Sequence, residues 1–263
     1  MMPPTPAPVA LLHGVPTCGA LWAGVRAHLS RPSWAPDLPG HGAAPPLPTA
    51  RHGVADHLDA LDRARASAGL PAWRHLHLVG TDYGGLLAAE LTLRHGARSL
   101  TLVSTAAWLG WAPARLLALP GLQRLAYQRY GGARWMHRAA QPSHRERFLA
   151  DVGGALGDPG LPDRMRATAQ GLDLARCASL PARLRGAGVP IRLVWGDRDR
   201  HYPLWGAQVL SLVLGAPLRV VGGSGHALPF EQPAATATAI EAGLRSAEVR
   251  ARAAPGSRRE RRC

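Results

Sequence analysis

Short apolar runs that stop at a glycine or a turn recur along the chain: Val9–Leu12, Leu76–Val79, Leu100–Val103, Ile191–Trp195 and Leu218–Val221, with a weaker run at Trp34–Leu38. Their length suits strands buried on both faces, where alternation between apolar and polar positions is lost. Between them the spacing turns helical. Leu21, Val25 and Leu29 fall on one face of Ala20–Leu29, and Val54, Leu58 and Leu61 on one face of Val54–Ala68. Leu86–Leu93 follows a glycine pair, and Ala234–Val249 follows a proline, a favoured first-turn residue. Strand and helix in alternation predict an α/β fold with a mainly parallel sheet flanked by helices.

From Trp108 to Gly188 the alternation stops, and no strand is expected. Pro113, Pro120, Gly131-Gly132, Pro142, Asp158-Pro159-Gly160, Pro162 and Pro181 punctuate short helical pieces such as Leu122–Tyr130 and His144–Val152. The pattern predicts a core made of 1–107 and 189–250, with 108–188 as a small helical insertion and 251–263 as a disordered basic tail.

The chain has 263 residues, enough to bury a core without a disulfide or metal staple. Cys18, Cys177 and Cys263 are odd in number and irregular in spacing, so free thiols are expected, with neither a cofactor nor a metal. No apolar run is long enough for a membrane helix, and the first residues lack a secretory pattern; a cytoplasmic protein is expected. The formal charge of +14 at first suggests nucleic acid or an anionic membrane surface. Every basic residue, however, is Arg; Lys and Asn are absent, and Ile191 and Ile240 are the only isoleucines. That joint loss points to GC-rich coding. The arginines are also spread along the chain, apart from the segment Arg245–Cys263, which reads as a frayed, solvated end. Neither nucleic acid nor membrane is therefore expected as a partner.

Three motifs carry chemistry. Gly80-Thr81-Asp82-Tyr83-Gly84-Gly85 lies between a strand and a helix, the setting of a nucleophile elbow, with Asp82 at the raised position; as an alternative, Asp82 merely caps the helix. Trp195-Gly196-Asp197-Arg198-Asp199-Arg200-His201-Tyr202-Pro203 follows another strand, and one of its acids can orient a histidine. The other acid then serves a turn or pairs with Arg198 or Arg200. Gly223-Ser224-Gly225-His226 follows the last strand, where open α/β sheets place ligand-contacting loops. Glu231 with Pro233 reads as the start of the last helix. The loop after Val103 offers no carboxylate.

With His13-Gly14-Val15-Pro16, Asp37-Leu38-Pro39-Gly40-His41-Gly42 and the three motifs above, the chain resembles the α/β-hydrolase superfamily over nearly its whole length. The resemblance implies the order nucleophile, acid, histidine. It selects Asp199 as the acid and makes 108–188 a cap over the substrate pocket. The Asp elbow resembles haloalkane dehalogenases and epoxide hydrolases, and His13–Thr17 with Trp22 is closer to the former. Such proteins usually carry two antiparallel strands ahead of the first motif. Here there is room for one, so N-terminal strands are expected to be missing and the open edge invites a second copy.

The chemistry accounts for an aspartate. A carboxylate attacking an acyl carbon gives an anhydride; attacking a saturated carbon, it gives an alkyl ester that water can cleave. Asp82 needs no base for that attack. His226, oriented by Asp199, would activate the water, and the backbone N–H groups of Val15 and Tyr83 would face the oxyanion. A halide leaving group needs N–H donors, for which the cap offers Trp108, Trp111 and Trp135; an epoxide oxygen needs hydroxyls, for which it offers Tyr127 and Tyr130. Tyr83 and Tyr202 are the remaining phenols. Tyr83 stands where both groups usually have Trp, and Val15 where dehalogenases often have Asn, which weakens the halide assignment. The expected partners are a small-molecule substrate and water. An esterase-like hydrolase with a replaced nucleophile, and an inactive ligand-binding protein on the same fold, are the alternatives.

Overall fold

The computed structural model describes residues 6–48, 52–105, 139–152 and 158–253. The described strands are β1 (Val9–Leu12), β2 (Ser33–Trp34), β3 (His77–Thr81), β4 (Ser99–Val103), β5 (Ile191–Gly196) and β6 (Leu218–Val221). They form one sheet in the order β2-β1-β3-β4-β5-β6, with every pairing parallel. In register, Val9 faces His77 and Leu12 faces Gly80, so the carboxyl ends of β1 and β3 lie side by side.

In the inner strands the apolar runs are explained by two cores, whereas β6, at the sheet edge, is not buried on both faces: Arg219 and Val220 are exposed. Ala10, Leu12, Leu78, Leu100, Leu102 and Leu193 point to one face of the sheet. Their alternate neighbours Val9, Leu11, Val79, Val103 and Val194 point to the other. Helices α2 (Val54–Ser67), α3 (Tyr83–His95), α6 (Leu174–Arg185) and α7 (Leu204–Leu214) cover the first face. Helices α1 (Ala23–His28) and α9 (Pro233–Ala253) cover the second through Val25, Ala237, Ile240 and Leu244. Trp22 is wholly buried in that second core.

Several elements differ from the sequence pattern. Trp34–Leu38 shrinks to two paired residues: Pro36 has no N–H to give a ladder, and Asp37 turns its carboxylate onto the N–H groups of Gly19 and Ala43. Ala20–Leu29 divides into a 3-10 turn (Gly19–Trp22) and α1. Helix α7 has no polar face by which to recognise it, and Trp205, Val209 and Leu212 remain exposed on it. Helix α9 runs on to Ala253, so Arg245–Cys263 is not a frayed end throughout. Ala247 is buried, and Glu248 accepts a 2.8 Å bond from Arg31.

Within the expected insertion, the described helices are α4 (Arg145–Asp151), α5 (Leu161–Gln170) and α6. Pro162 sits in the first turn of α5, whereas Pro181 lies inside α6. Glu90 of α3, almost fully buried, receives paired bonds from Arg176 and Arg183 of α6, which ties this segment to the sheet layer. No described helix is long and apolar enough to cross a membrane.

Candidate active site

Asp82 follows β3 directly and precedes α3, with φ 50° and ψ −126°. Only a tightly held turn keeps a non-glycine residue there. Its N–H donates to the Ser104 carbonyl (3.2 Å), and Thr105 Oγ1 donates to its carbonyl (2.7 Å). A Cβ on Gly80 would run into the Gly84 carbonyl, so the turn can close only on glycine. Asp82 makes no side-chain cap bond to α3, which removes the capping alternative. Its Oδ2 instead accepts the Val15 N–H (3.1 Å), and its Oδ1 accepts the Tyr202 hydroxyl (2.7 Å).

Gly14 permits this approach. A Cβ there would lie 2.5 Å from Asp82 Cβ and 2.6 Å from Oδ2. Gly14→Ala therefore forces the carboxylate off the Val15 N–H. We expect turnover to fall more than ~10²-fold, the scale for loss of one oxyanion donor, with secondary structure retained by circular dichroism. Near-wild-type turnover would show that this contact is dispensable.

His226 and Asp199 meet at the same edge. His226 Nδ1 lies 3.1 Å from Asp199 Oδ2, and both side chains are buried. Asp199 Oδ1 accepts the N–H groups of His201 (2.8 Å) and Tyr202 (2.9 Å). Burial raises the Asp199 pKa, but the charge and hydrogen bond of His226 outweigh it, leaving the carboxyl below its ordinary value. Burial likewise lowers His226, yet Asp199 and the nearby charge of Asp82 lift the imidazole above the ordinary 6.5. The imidazole packs against His201 and Tyr202, with ring centroids 4.8 and 5.1 Å away.

Asp197 has a different partner. Its Oδ1 accepts the Ser224 N–H at 3.2 Å, which ties the β5 loop to the histidine loop. Asp199→Asn should cost ~10²–10⁴-fold in turnover by comparison with other triads, while Asp197→Asn, still able to accept that bond, stays close to wild type. Removing the Asp199 charge also lowers the His226 pKa, so the acid limb of the rate profile moves to lower pH. The reverse ranking in a pH–rate series would reassign the acid.

Glu231 does not start the last helix. It closes a separate turn, α8 (Leu228–Glu231), and its carboxylate accepts the N–H groups of Gly225 (2.5 Å) and Gln141 (2.6 Å). With Ala227 N–H on the Ala139 carbonyl (2.9 Å), this clamps the histidine loop to the segment ahead of α4. Burial pushes the Glu231 carboxyl up despite those two donors.

Tyr83 opens α3, so its backbone N–H has no acceptor within the helix. Its hydroxyl lies 3.3 Å from His57 Nδ1, and burial raises its pKa. Trp108, Trp111, Tyr127, Tyr130 and Trp135 lie outside the described residues. In the sequence, the signal for Tyr202 is its place in the loop that also carries Asp199. Among the described residues no three His, Cys, Asp or Glu side chains converge as a metal ion would require.

Known proteins share this architecture. A model described as the alpha/beta hydrolase family matches residues 9–239. Curated proteins give no match. Solved structures similar to this chain include a thermophilic esterase from Thermogutta terrifontis, at 22% identity and TM-score 0.72, covering 92% of this chain and 91% of that one. A haloalkane dehalogenase from Bradyrhizobium elkani is similar at 18% identity and TM-score 0.70, over 94% and 92% of the two chains. A 2-hydroxy-6-oxo-6-phenylhexa-2,4-dienoate hydrolase from Rhodococcus sp. strain RHA1 is similar at 22% and 0.72, over 92% and 91%.

Proposed function

The chain belongs to the alpha/beta hydrolase family, and from that premise we propose that it hydrolyses small apolar organic substrates through an alkyl ester on Asp82. One observation carries the reading. The raised residue of the elbow is a carboxylate, held by the Val15 N–H and set beside a buried His226–Asp199 pair. Asp82 Oδ1 attacks a saturated carbon and the leaving group departs with the bonding pair. Neutral His226 then takes a proton from water, whose oxygen adds to Asp82 Cγ, while charge collects on Oδ2 against Val15. Collapse returns the carboxylate and releases an alcohol.

Haloalkanes are the first substrate class. The His13–Thr17 pattern and the likeness to a haloalkane dehalogenase support them. Epoxides are the second, and one observation favours them: the Tyr202 hydroxyl stands on the nucleophile itself. A panel of bromoalkanes and styrene oxide, read by halide release and diol formation, separates the two. Hydrolysis of nitrophenyl esters alone would favour the esterase reading. Saturable binding without turnover of any of these would favour a ligand-binding protein.

A cap prediction belongs to the same panel. A dehalogenase should tolerate Tyr127→Phe/Tyr130→Phe and lose activity with Trp135→Phe; an epoxide hydrolase should do the opposite. If neither variant changes turnover, the cap donors are misassigned.

A further inference from the structure

The two oxygens of Asp82 are held differently. Oδ2 faces a backbone N–H, a donor that cannot give up its proton; Oδ1 faces the phenol of Tyr202, a donor that can. An oxygen in the backbone cradle is the one suited to carry charge in a tetrahedral intermediate. Oδ1 is therefore the oxygen that bonds to substrate carbon, using the lone pair not engaged by Tyr202. Once the ester forms, Oδ1 is the bridging atom, and its bond to Cγ must break in hydrolysis.

We propose that Tyr202 is the acid of that second step, giving its phenolic proton to Oδ1 as the product alcohol departs. The inference rests on the reading that Asp82 forms an ester. His226 takes one proton from water, and the water oxygen bonds to Cγ. The Cγ–Oδ1 bond breaks with its electron pair on Oδ1, which takes the Tyr202 proton. Asp82, left as a carboxylic acid beside the Tyr202 hydroxyl, returns a proton to the phenolate, and the His226 imidazolium loses its proton to solvent. The sum is ester and water giving alcohol, carboxylate and one proton.

The loop is built to aim this phenol. The Tyr202 N–H is bound to Asp199 Oδ1, and its carbonyl accepts Trp195 Nε1 (2.7 Å) from a fully buried indole. One residue thus touches all three members of the triad: Asp199 through its backbone, His226 through its ring and Asp82 through its hydroxyl. Burial and the Asp82 charge hold the phenol protonated in the free enzyme. Esterification removes that charge, so the proton becomes easier to transfer only after the first step.

Tyr202→Phe keeps the ring against His226 and removes the hydroxyl. The test compares this variant, His226→Ala and wild type by rapid quench and intact mass, using bromobutane and a fluorinated bromoalkane. We expect Tyr202→Phe to release a burst of bromide, accumulate an Asp82 adduct and slow steady turnover ~10²-fold, the lower range for a general acid. The deficit should shrink for the fluorinated substrate, whose more acidic alcohol leaves without help. Wild-type turnover with no adduct in Tyr202→Phe, while His226→Ala accumulates one, overturns the role of Tyr202 and leaves the Asp82 ester standing. An equal deficit with both substrates reduces Tyr202 to a positioning residue and overturns its role as acid. No adduct in any variant, with a bromoalkane or epoxide that wild type turns over, overturns the ester and this inference together.

Discussion

His226→Ala should stop turnover while leaving the first step intact, so that a covalent ester accumulates on Asp82. Attack by a carboxylate needs no base, whereas cleavage of the ester needs a deprotonated water. Intact mass after exposure to a bromoalkane or epoxide that wild type turns over should rise by the alkyl group, or by the whole epoxide, and peptide mapping should place it on Asp82. The substitution leaves Asp199 without its imidazole partner in a buried site, a loss that can reach ~3–5 kcal/mol. His226→Gln keeps an amide N–H for Asp199 and serves as the folded control. An unmodified mass in both folded variants would rule out the two-step mechanism.

The same geometry fixes the pH dependence. The water-activating base must be neutral, and Asp199 with Asp82 holds the His226 pKa above the ordinary 6.5 despite burial. Esterification removes the Asp82 charge, so ester hydrolysis should be lost as pH falls through a His226 pKa that lies below the free enzyme's and is still supported by Asp199. The stability contributed by charged His226 has the opposite sense: it is fully present below the unfolded pKa and lost as pH rises through the folded one. The acid limb should be absent from the single-turnover alkylation rate and present in the hydrolysis rate.

Asp82→Asn should reduce turnover on the order of 10⁴-fold or more, the scale seen when a nucleophile is removed, without loss of the fold. Asn tolerates a positive φ as well as Asp does. Its amide oxygen can accept the Val15 N–H, and its amide N–H can donate to Tyr202 Oη if that hydroxyl turns. Both partners of the carboxylate remain satisfied, so the melting temperature should hold or rise, as is common when a strained functional residue is replaced. Retained turnover in Asp82→Asn would transfer the nucleophile elsewhere. Loss of cooperative melting would mean that the carboxylate is structural.

Much of this protein is written locally. Strands buried on both faces favour apolar residues at nearly every position, so Val9–Leu12 stands out as an unbroken run and Leu100–Val103 as one interrupted only by Thr101. The elbow needs glycine where backbone meets backbone, so Gly80 and Gly84 mark Asp82 within a stretch of five residues. Asp199 and His226 stand out by their place in turns after strands, the resemblance to α/β-hydrolases singles out Asp199 over Asp197, and the fold brings the two side chains to 3.1 Å. Other features are not legible, because their meaning lies in partners far along the chain. Tyr202 reaches Asp82 across 120 positions, and nothing in either segment encodes the meeting. Glu231 reads as a helix start, and only the fold brings Gly225 and Gln141 to its two oxygens. Helix α7 is hidden because apolar residues on all sides erase the periodicity by which helices are recognised. The strands other than β2, and the elbow, follow from the chain alone, since each depends on neighbours within one turn or one strand. Which donor faces which oxygen of Asp82 is set by the fold, since that depends on where the parallel sheet places the ends of β1, β3 and β5.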